Sequence, residues 1–238
     1  MDKFRKIVLN IPHSSLNGIA EARWNNWPSM TEKFMDWTDL YTDVLFAPDP
    51  AKFDIESQFD IHVFPYNRFF IDAERLIDDP LETAGQGIIY TDFEGHHREL
   101  TPEEKARLER IYVRFIAGFS KSLFASSHDT LLIDCHSFPS RLAPDVDFCI
   151  GFNDNWSRPS ESLISVIKNI LESNGYKVGV NTPYSNSLTP VTAFYKSLMI
   201  EVNKRLYLDE TTHTMTPQST ELTAMINQLY DFCLTMES

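Results

Sequence analysis

Two apolar runs of the sequence each lead into a histidine that is followed by a serine. Residues 7–9 precede His13, and residues 131–133 precede His136, while a third apolar run contains Glu201. In open α/β sheets, ligands bind beyond the carboxyl ends of the strands, so these side chains meet in one crevice if the runs are neighbouring parallel strands. Two histidines and a carboxylate around an open position are typical of a catalytic zinc site, in which a separate glutamate can deprotonate the bound water.

Each of these residues also has a purely structural interpretation. A strand-end histidine followed by serine commonly forms hydrogen bonds within a loop. Glu201 is harder to explain in this way, because burial of an unpaired carboxylate costs several kcal/mol. It therefore needs a partner, either an arginine or a metal-bound water molecule.

A third metal ligand has to come from another part of the chain. The segment MDWTDLYTD contains Asp36, Asp39 and Asp43 within a stretch of helical periodicity. Asp39 and Asp43 are spaced i, i+4 and therefore share one face of the predicted helix. An acidic helix face is usually solvated, but Trp37 and Leu40 make this helix largely apolar, so we expect at least one of the acids to point inward.

Two arginines flank another apolar segment and are suited to bind a carboxylate. Arg68 and Arg75 lie in YNRFFIDAERLIDD. Arginine is the side chain that recognises carboxylates through two parallel hydrogen bonds. The alternative is a structural one, in which the arginines form salt bridges with the neighbouring acids Asp72, Asp78 and Asp79.

The segment NTPYSN follows a predicted strand and is rich in turn-forming residues. Polar loops in this position commonly line substrate pockets, so Asn181 and Tyr184 are candidate substrate-binding residues. Ser137, directly after His136, is a third candidate.

Short β-rich runs alternate along the chain with segments of helical periodicity. We predict strands at residues 6–12, 59–65, 68–72, 131–136, 147–152, 177–180 and 197–203. We predict helices at residues 29–47, 101–125, 157–174 and 217–235. This alternation indicates a layered α/β fold with a mostly parallel sheet. Without an internal repeat or linker, residues 1–238 are expected to form one domain.

The composition limits the possible partners and compartments. A net charge of −13 argues against nucleic acid or an anionic membrane as a partner. The three cysteines are odd in number and widely spaced, which argues against a disulfide scaffold and favours a reducing compartment. No run approaches the ~20 apolar residues that span a bilayer, and the first apolar stretch is too short for a signal peptide. We therefore expect a soluble, cytoplasmic protein.

Six stretches of the sequence, taken together, resemble the N-formylglutamate amidohydrolases. In family order they are NIPHSS, TDLYTDVLF, YNRFFIDAER, LLIDCHS, GYKVGVNTPYS and LMIEVNKRLYLDE. They extend from residue 7 to about residue 210. The resemblance implies a three-layer α/β/α fold with a mostly parallel mixed sheet, of the zinc-carboxypeptidase (phosphorylase/hydrolase-like) kind.

The resemblance also implies roles for the candidate residues. His13, Asp39 and His136 would bind one zinc ion per chain, with Asp39 preferred to Asp43 as the third ligand. Glu201 would be the catalytic base that accepts a proton from the zinc-activated water.

By the same resemblance, the two arginines act on the substrate. Arg68 would polarise its carbonyl group, and Arg75 would hold its carboxylate. Asp134 or Asp43 would orient the ligand histidines. The chain departs from the family pattern D-x-N-R, because Glu74 stands where asparagine is usual.

The expected substrate is a small N-acyl amino acid such as N-formylglutamate, cleaved to formate and an amino acid. Two other functions are consistent with the same residues. One is a metallo-carboxypeptidase or deacylase that acts on a peptide or a larger acyl group. The other is a non-catalytic binding protein that keeps the fold without the zinc.

Overall fold

Six strands form one mixed sheet at the centre of the structure. The computed structural model describes residues 4–25, 27–77, 79–125 and 129–235. The strands of the sheet are β1 (Lys6–Ile11), β2 (Phe59–Val63), β5 (Thr130–Phe138), β6 (Phe148–Gly151), β7 (Val178–Val180) and β8 (Lys196–Asn203). Two short hairpins lie outside it, formed by β3 (Asp92–Phe93) with β4 (His96–His97), and by β9 (Leu208–Asp209) with β10 (Thr214–Met215).

The sheet is mostly parallel, as predicted. Its strand order is β2-β1-β5-β8-β6-β7. The first four of these strands run parallel to one another, whereas β6 runs antiparallel to β8 and β7 follows the direction of β6. The carboxyl ends of β1, β5 and β8 therefore lie side by side at one edge.

The helices cover both faces of this sheet. They are α1 (Trp27–Trp37), α2 (Thr42–Leu45), α3 (Ile55–Gln58), α4 (Pro102–Phe124), α5 (Glu161–Ser173) and α6 (Ser219–Thr235). None of the helices in the described ranges is both long enough and apolar enough to cross a membrane.

Alternation along the strands separates the two apolar layers, because successive side chains of a strand point to opposite faces. Ile7 belongs to the core that includes Leu163 of α5 and Ile226 of α6. The next residue, Val8, packs in a separate cluster with Phe119 of α4. The fold is therefore a three-layer α/β sandwich, which confirms the fold class expected from the sequence.

The longest helix begins where the sequence predicts. Thr101 accepts a hydrogen bond from the Glu104 amide, and the Glu104 side chain accepts one from the Thr101 amide, so the two residues form a capping box. Pro102 occupies the first turn, where its missing N–H has no intrahelical partner to lose. The N-terminal half of this helix carries Leu108 and Tyr112 into a second apolar cluster beyond the sheet.

Two predicted elements are wrong in ways that matter for function. The helix predicted over residues 29–47 is interrupted between α1 and α2, where Tyr41 adopts a left-handed conformation at φ 64°. The strand predicted over residues 68–72 is a turn instead. There Asn67 accepts the Phe69 amide through its side chain and the Phe70 amide through its carbonyl oxygen.

Candidate metal centre and substrate cavity

Polar side chains occupy one face of the sheet near the carboxyl ends of its central strands. Leu132, Asp134 and His136 of β5 share one face of the sheet. Helix α4 packs against Leu132, and the two polar residues lie beyond it toward the carboxyl end of the strand. The register places Asn10 opposite Asp134 and Glu201 opposite His136. Strand pairing alone therefore brings residues from three distant segments of the chain to one place.

His13, Asp39 and His136 form a buried group that could hold a metal ion. One carboxylate oxygen of Asp39, Oδ2, lies 3.1 Å from Nδ1 of His136 and 3.6 Å from Nδ1 of His13. The two imidazole rings are 5.2 Å apart between centroids. Asp43 is exposed and does not join this group, so the structure supports Asp39 over Asp43.

The break between α1 and α2 directs the Asp39 side chain toward His13 and His136. The backbone amide of Asp39 donates to the carbonyl oxygen of His13 at 3.0 Å. The buried ammonium of Lys204 donates to the carbonyl oxygens of Thr38, at 2.8 Å, and Asp36. The Asn67 amide donates to Thr38 Oγ1 at 2.7 Å. The contacts of the Asp39 amide and of the two carbonyl oxygens satisfy backbone groups that a continuous helix would have bonded internally.

A second carboxylate orients each histidine from its other ring nitrogen. Nε2 of His13 lies 2.8 Å from Oδ1 of Asp72, and Nε2 of His136 lies 3.3 Å from Oδ1 of Asp134. Histidines that bind metals usually donate their second N–H to such a carboxylate, which leaves the other nitrogen free to coordinate. Asp134 was an expected orienting residue, whereas Asp72 was expected only as a salt-bridge partner of the arginines.

The residues present fit a zinc ion. Nδ1 of His13 is buried without a hydrogen-bond partner, although buried ring nitrogens are normally paired. In tetrahedral zinc sites, neighbouring donor atoms lie about 3.3–3.6 Å apart, close to the two separations measured from Asp39 Oδ2. Two imidazoles and one carboxylate are also a donor set that zinc accepts. A neighbouring group, formed by Glu74, Asp134 and His136, shares one of these histidines.

The carboxylates of this centre differ in protonation. Burial favours the neutral form of Asp39, but the neighbouring imidazoles of His13 and His136 hold the pKa of this carboxyl well below its usual range. Burial raises the pKa of Glu201 to about 8 and that of Glu74 to about 7. Oε2 of Glu201 is buried without a hydrogen-bond partner, so no contact within the described residues accounts for that atom.

A cavity of about 800 Å³ opens above these residues. It is lined by the three candidate ligands and Glu201, and also by Arg68, Arg75, Ser137 and Tyr184. Asn181 lies outside it and is exposed, with its side-chain oxygen accepting the Phe152 amide at 3.0 Å. The structure therefore brings the expected ligands His13, Asp39 and His136, the expected base, both arginines and the substrate-binding candidates other than Asn181 to one cavity.

Both arginines line the cavity and approach the buried carboxylate of Asp72. Arg68 Nη2 lies 3.3 Å from Asp72 Oδ2, and Arg75 Nε lies 3.9 Å from the same oxygen. Arg75 also donates to the Gln86 carbonyl oxygen and to the Tyr90 hydroxyl, at 3.2 and 3.1 Å. Asp78, one of the expected salt-bridge partners, lies outside the described residues.

Glu74, which stands where the family pattern has asparagine, belongs to a buried polar network beside His136. It does not pair with the adjacent arginine; its Oε2 accepts from Asn10 Nδ2 at 3.3 Å and lies 3.7 Å from His136 Nε2. The same Asn10 amide donates to Asp134 at 2.8 Å. An asparagine in the middle of an apolar strand was the available signal for this network, because a buried amide needs partners.

We expect Asp72→Asn to weaken metal binding by about 10- to 100-fold, the usual effect of removing a carboxylate behind a ligand histidine. The amide would still accept from one neighbour, but it would no longer fix the proton on Nε2 of His13. Titration of the metal-free protein with zinc measures this. Asp43→Asn is the matched control, because Asp43 is exposed. Equal affinities for the two variants would contradict the role of Asp72.

The comparisons with known proteins agree with this architecture. Residues 5–208 match the model of the N-formylglutamate amidohydrolase family. The solved N-formylglutamate amidohydrolase from Ralstonia eutropha JMP134 superposes with a TM-score of 0.75 at 20% identity, over 96% of this chain and 92% of that chain. A gene product from Agrobacterium tumefaciens superposes with a TM-score of 0.61 at 14% identity, over 97% and 90%. No curated protein matches the sequence. At these identities, the two structures establish a shared fold.

Proposed function

Because the chain belongs to the N-formylglutamate amidohydrolase family, we propose that it is a zinc-dependent enzyme that hydrolyses the amide bond of an N-acyl amino acid. N-formylglutamate is the reference substrate, with formate and an amino acid as products. The observation that carries this proposal is the buried group of His13, Asp39 and His136, which faces a cavity together with the unpaired Glu201.

In this proposal His13, Asp39 and His136 hold the zinc ion. When bound, zinc supplies a Lewis acid that polarises the carbonyl group and makes a water molecule acidic near neutral pH. Asp72 and Asp134 keep the Nε2 protons of the two histidines in place, so that each Nδ1 presents its lone pair.

Glu201 is the proton carrier of the proposed reaction. Its unpaired Oε2 accepts a proton from the attacking water, whose oxygen forms a bond to the amide carbon. Glu201 then passes this proton to the leaving nitrogen as the C–N bond breaks. A pKa near neutrality suits both steps, and burial raises the pKa of Glu201 to about 8.

The arginines act on the ends of the substrate. Arg68, which lines the cavity, stabilises the negative charge that develops on the carbonyl oxygen. Arg75 binds the substrate carboxylate, and its bonds to Gln86 and Tyr90 hold the guanidinium in a fixed orientation. Fixing a binding group in advance reduces the entropy lost when the substrate binds.

Metal analysis combined with an amidase assay tests this function. We expect about one zinc per chain in protein purified without chelator, and release of amino acid from N-formyl amino acids. Chelation should abolish turnover and added zinc should restore it. Zinc-free protein that binds N-acyl amino acids without cleaving them would instead support a binding protein.

We expect Arg75→Lys to lower kcat/KM for an N-formyl amino acid about 10- to 100-fold. A lysine ammonium cannot reproduce the planar arrangement of donors, and a hydrogen bond to a charged group contributes about 1.5–3 kcal/mol. The substrate amide, which lacks the carboxylate charge, should lose far less. Arg158→Lys is the control, since Arg158 pairs with Asp154 and Glu161 outside the cavity lining. Equal losses for acid and amide, with a lowered melting temperature, would make Arg75 structural.

A further inference from the structure

The wall of the cavity beside the arginines is aromatic. Trp37 and Phe93 both line the cavity and are half-buried, and their rings meet edge to face at 6.2 Å. Phe93 packs in turn on the buried Phe69 at 4.8 Å, and Phe69 packs on Tyr90 at 5.5 Å. The Tyr90 hydroxyl accepts the hydrogen bond from Arg75, so the aromatic wall directly adjoins the cationic part of the cavity.

The positive charge in the cavity is small. Among the described lining residues, Arg68 and Arg75 are the cationic side chains besides the histidines, and both approach the same buried oxygen of Asp72. Because both guanidinium groups approach this one carboxylate, at 3.3 and 3.9 Å, its negative charge offsets that of one arginine.

The remaining lining residues with ionisable side chains, apart from the histidines and tyrosines, are acidic. Asp36, Glu74 and Asp79 contribute carboxyl groups in addition to Asp39 and Glu201 of the reactive centre. Two arginines and one aspartate leave a net charge of about +1, which balances a substrate with one carboxylate. A second carboxylate would lose its hydration without an unpaired cationic partner among the described lining residues. Arg141, which stacks on Trp37 from outside the lining, already pairs with Asp36.

We propose that the substrate carries one carboxylate and a bulky apolar group that packs against Trp37 and Phe93, as in an N-acyl derivative of an aromatic or large aliphatic amino acid. This inference rests on the proposed function and specifies its substrate class. The cavity volume of about 800 Å³ is consistent with such a substrate, because cavities of about 300–1,000 Å³ accommodate ligands of drug-like size.

Binding of two carboxylates that contain no amide tests the inference separately from catalysis. We would titrate zinc-containing protein with 3-phenylpropanoate and with glutarate, which represent an aromatic and a dicarboxylic substrate. We expect 3-phenylpropanoate to bind at least about tenfold more tightly, since the apolar ring is removed from water against two aromatic side chains. Glutarate binding as tightly or more tightly would overturn the inference.

Variants of the wall assign the preference to these residues. Trp37→Ala and, independently, Phe93→Leu should each reduce the ratio of the two affinities by about fivefold or more. Phe124→Ala is the matched control, because Phe124 is an exposed aromatic residue at the end of α4, outside the cavity lining. An unchanged ratio in both wall variants, each shown to be folded by its circular dichroism spectrum, would exclude the aromatic subsite.

Kinetics distinguish failure of this inference from failure of the proposed function. We expect kcat/KM for N-formylphenylalanine to exceed that for N-formylglutamate by about tenfold. Faster cleavage of N-formylglutamate would overturn the inference and leave the amidohydrolase function intact. Cleavage of neither compound by zinc-loaded protein, together with tighter binding of 3-phenylpropanoate, would overturn the amidohydrolase function and retain the apolar ligand preference.

Discussion

His136→Ala is expected to abolish both zinc retention and amidohydrolase activity. The imidazole contributes one of three proposed ligand atoms, and it also pairs with Asp39 at 3.1 Å. With only His13 and Asp39 left, the affinity for zinc should fall by orders of magnitude. Elemental analysis of protein purified without chelator, followed by an amidase assay, measures both effects.

The fold should survive this substitution. His136 lies near the carboxyl end of β5, and the core contacts of Leu131 to Ile133 are untouched by it. Its neighbours Asp39 and Asp134 would lose a partner, so the melting temperature should fall without loss of cooperative unfolding. His62→Ala is the matched control, because His62 is a partly buried histidine that pairs with Ser122 away from the cavity lining. Full zinc occupancy in His136→Ala would show that His136 is not a metal ligand.

Glu201→Gln is expected to lose most of the turnover while it keeps the zinc. Glutamine has nearly the same shape as glutamate but cannot accept the proton of the attacking water. Removal of a general base typically costs about 10²- to 10⁴-fold in rate. The residue lies outside the proposed ligand group, so metal content should equal that of the unmodified protein. Single-turnover kinetics and elemental analysis on the same preparation separate the two effects.

The direction of the stability change gives a second measure of this variant. Burial raises the pKa of Glu201 to about 8, so the folded protein binds a proton here more readily than the unfolded chain does. In metal-free protein this carboxyl therefore destabilises the fold progressively as the pH rises above its ordinary pKa of 4.5, and the loss is complete above about 8. Glu201→Gln should remove that loss. Glu221→Gln, on the exposed side of α6, should change neither rate nor pH dependence. Near-normal turnover in Glu201→Gln would return Glu201 to a structural role.

Several features of the site could be predicted because they depend on short stretches of sequence. Two apolar runs lead into His13 and His136, and a third contains Glu201. This pattern identifies strands that carry potentially reactive side chains near their carboxyl ends. Alternation along β5 and β8 then requires His136 and Glu201 to share a face once the strands pair in register. The start of α4 was equally predictable, because its capping box is a local signal.

Other features depended on contacts between distant segments. The periodicity around Asp39 favoured a continuous helix, yet Lys204, 166 residues from Thr38, bonds the backbone there and helps to end the helix. Asp72 lies 59 residues from His13, and no local pattern joined the two.

The sequence by itself determined the six strands of the central sheet, the helices α4, α5 and α6, and the residue types available for a metal centre. These follow from periodicity, capping and side-chain chemistry within short windows. Only the tertiary structure decided that Asp39 rather than Asp43 faces the histidines, that Glu74 joins Asn10 instead of Arg75, and that Asn181 stays outside the cavity. In each case several local arrangements satisfy the same pattern. The arrangement adopted is the one in which buried polar groups from distant segments find partners.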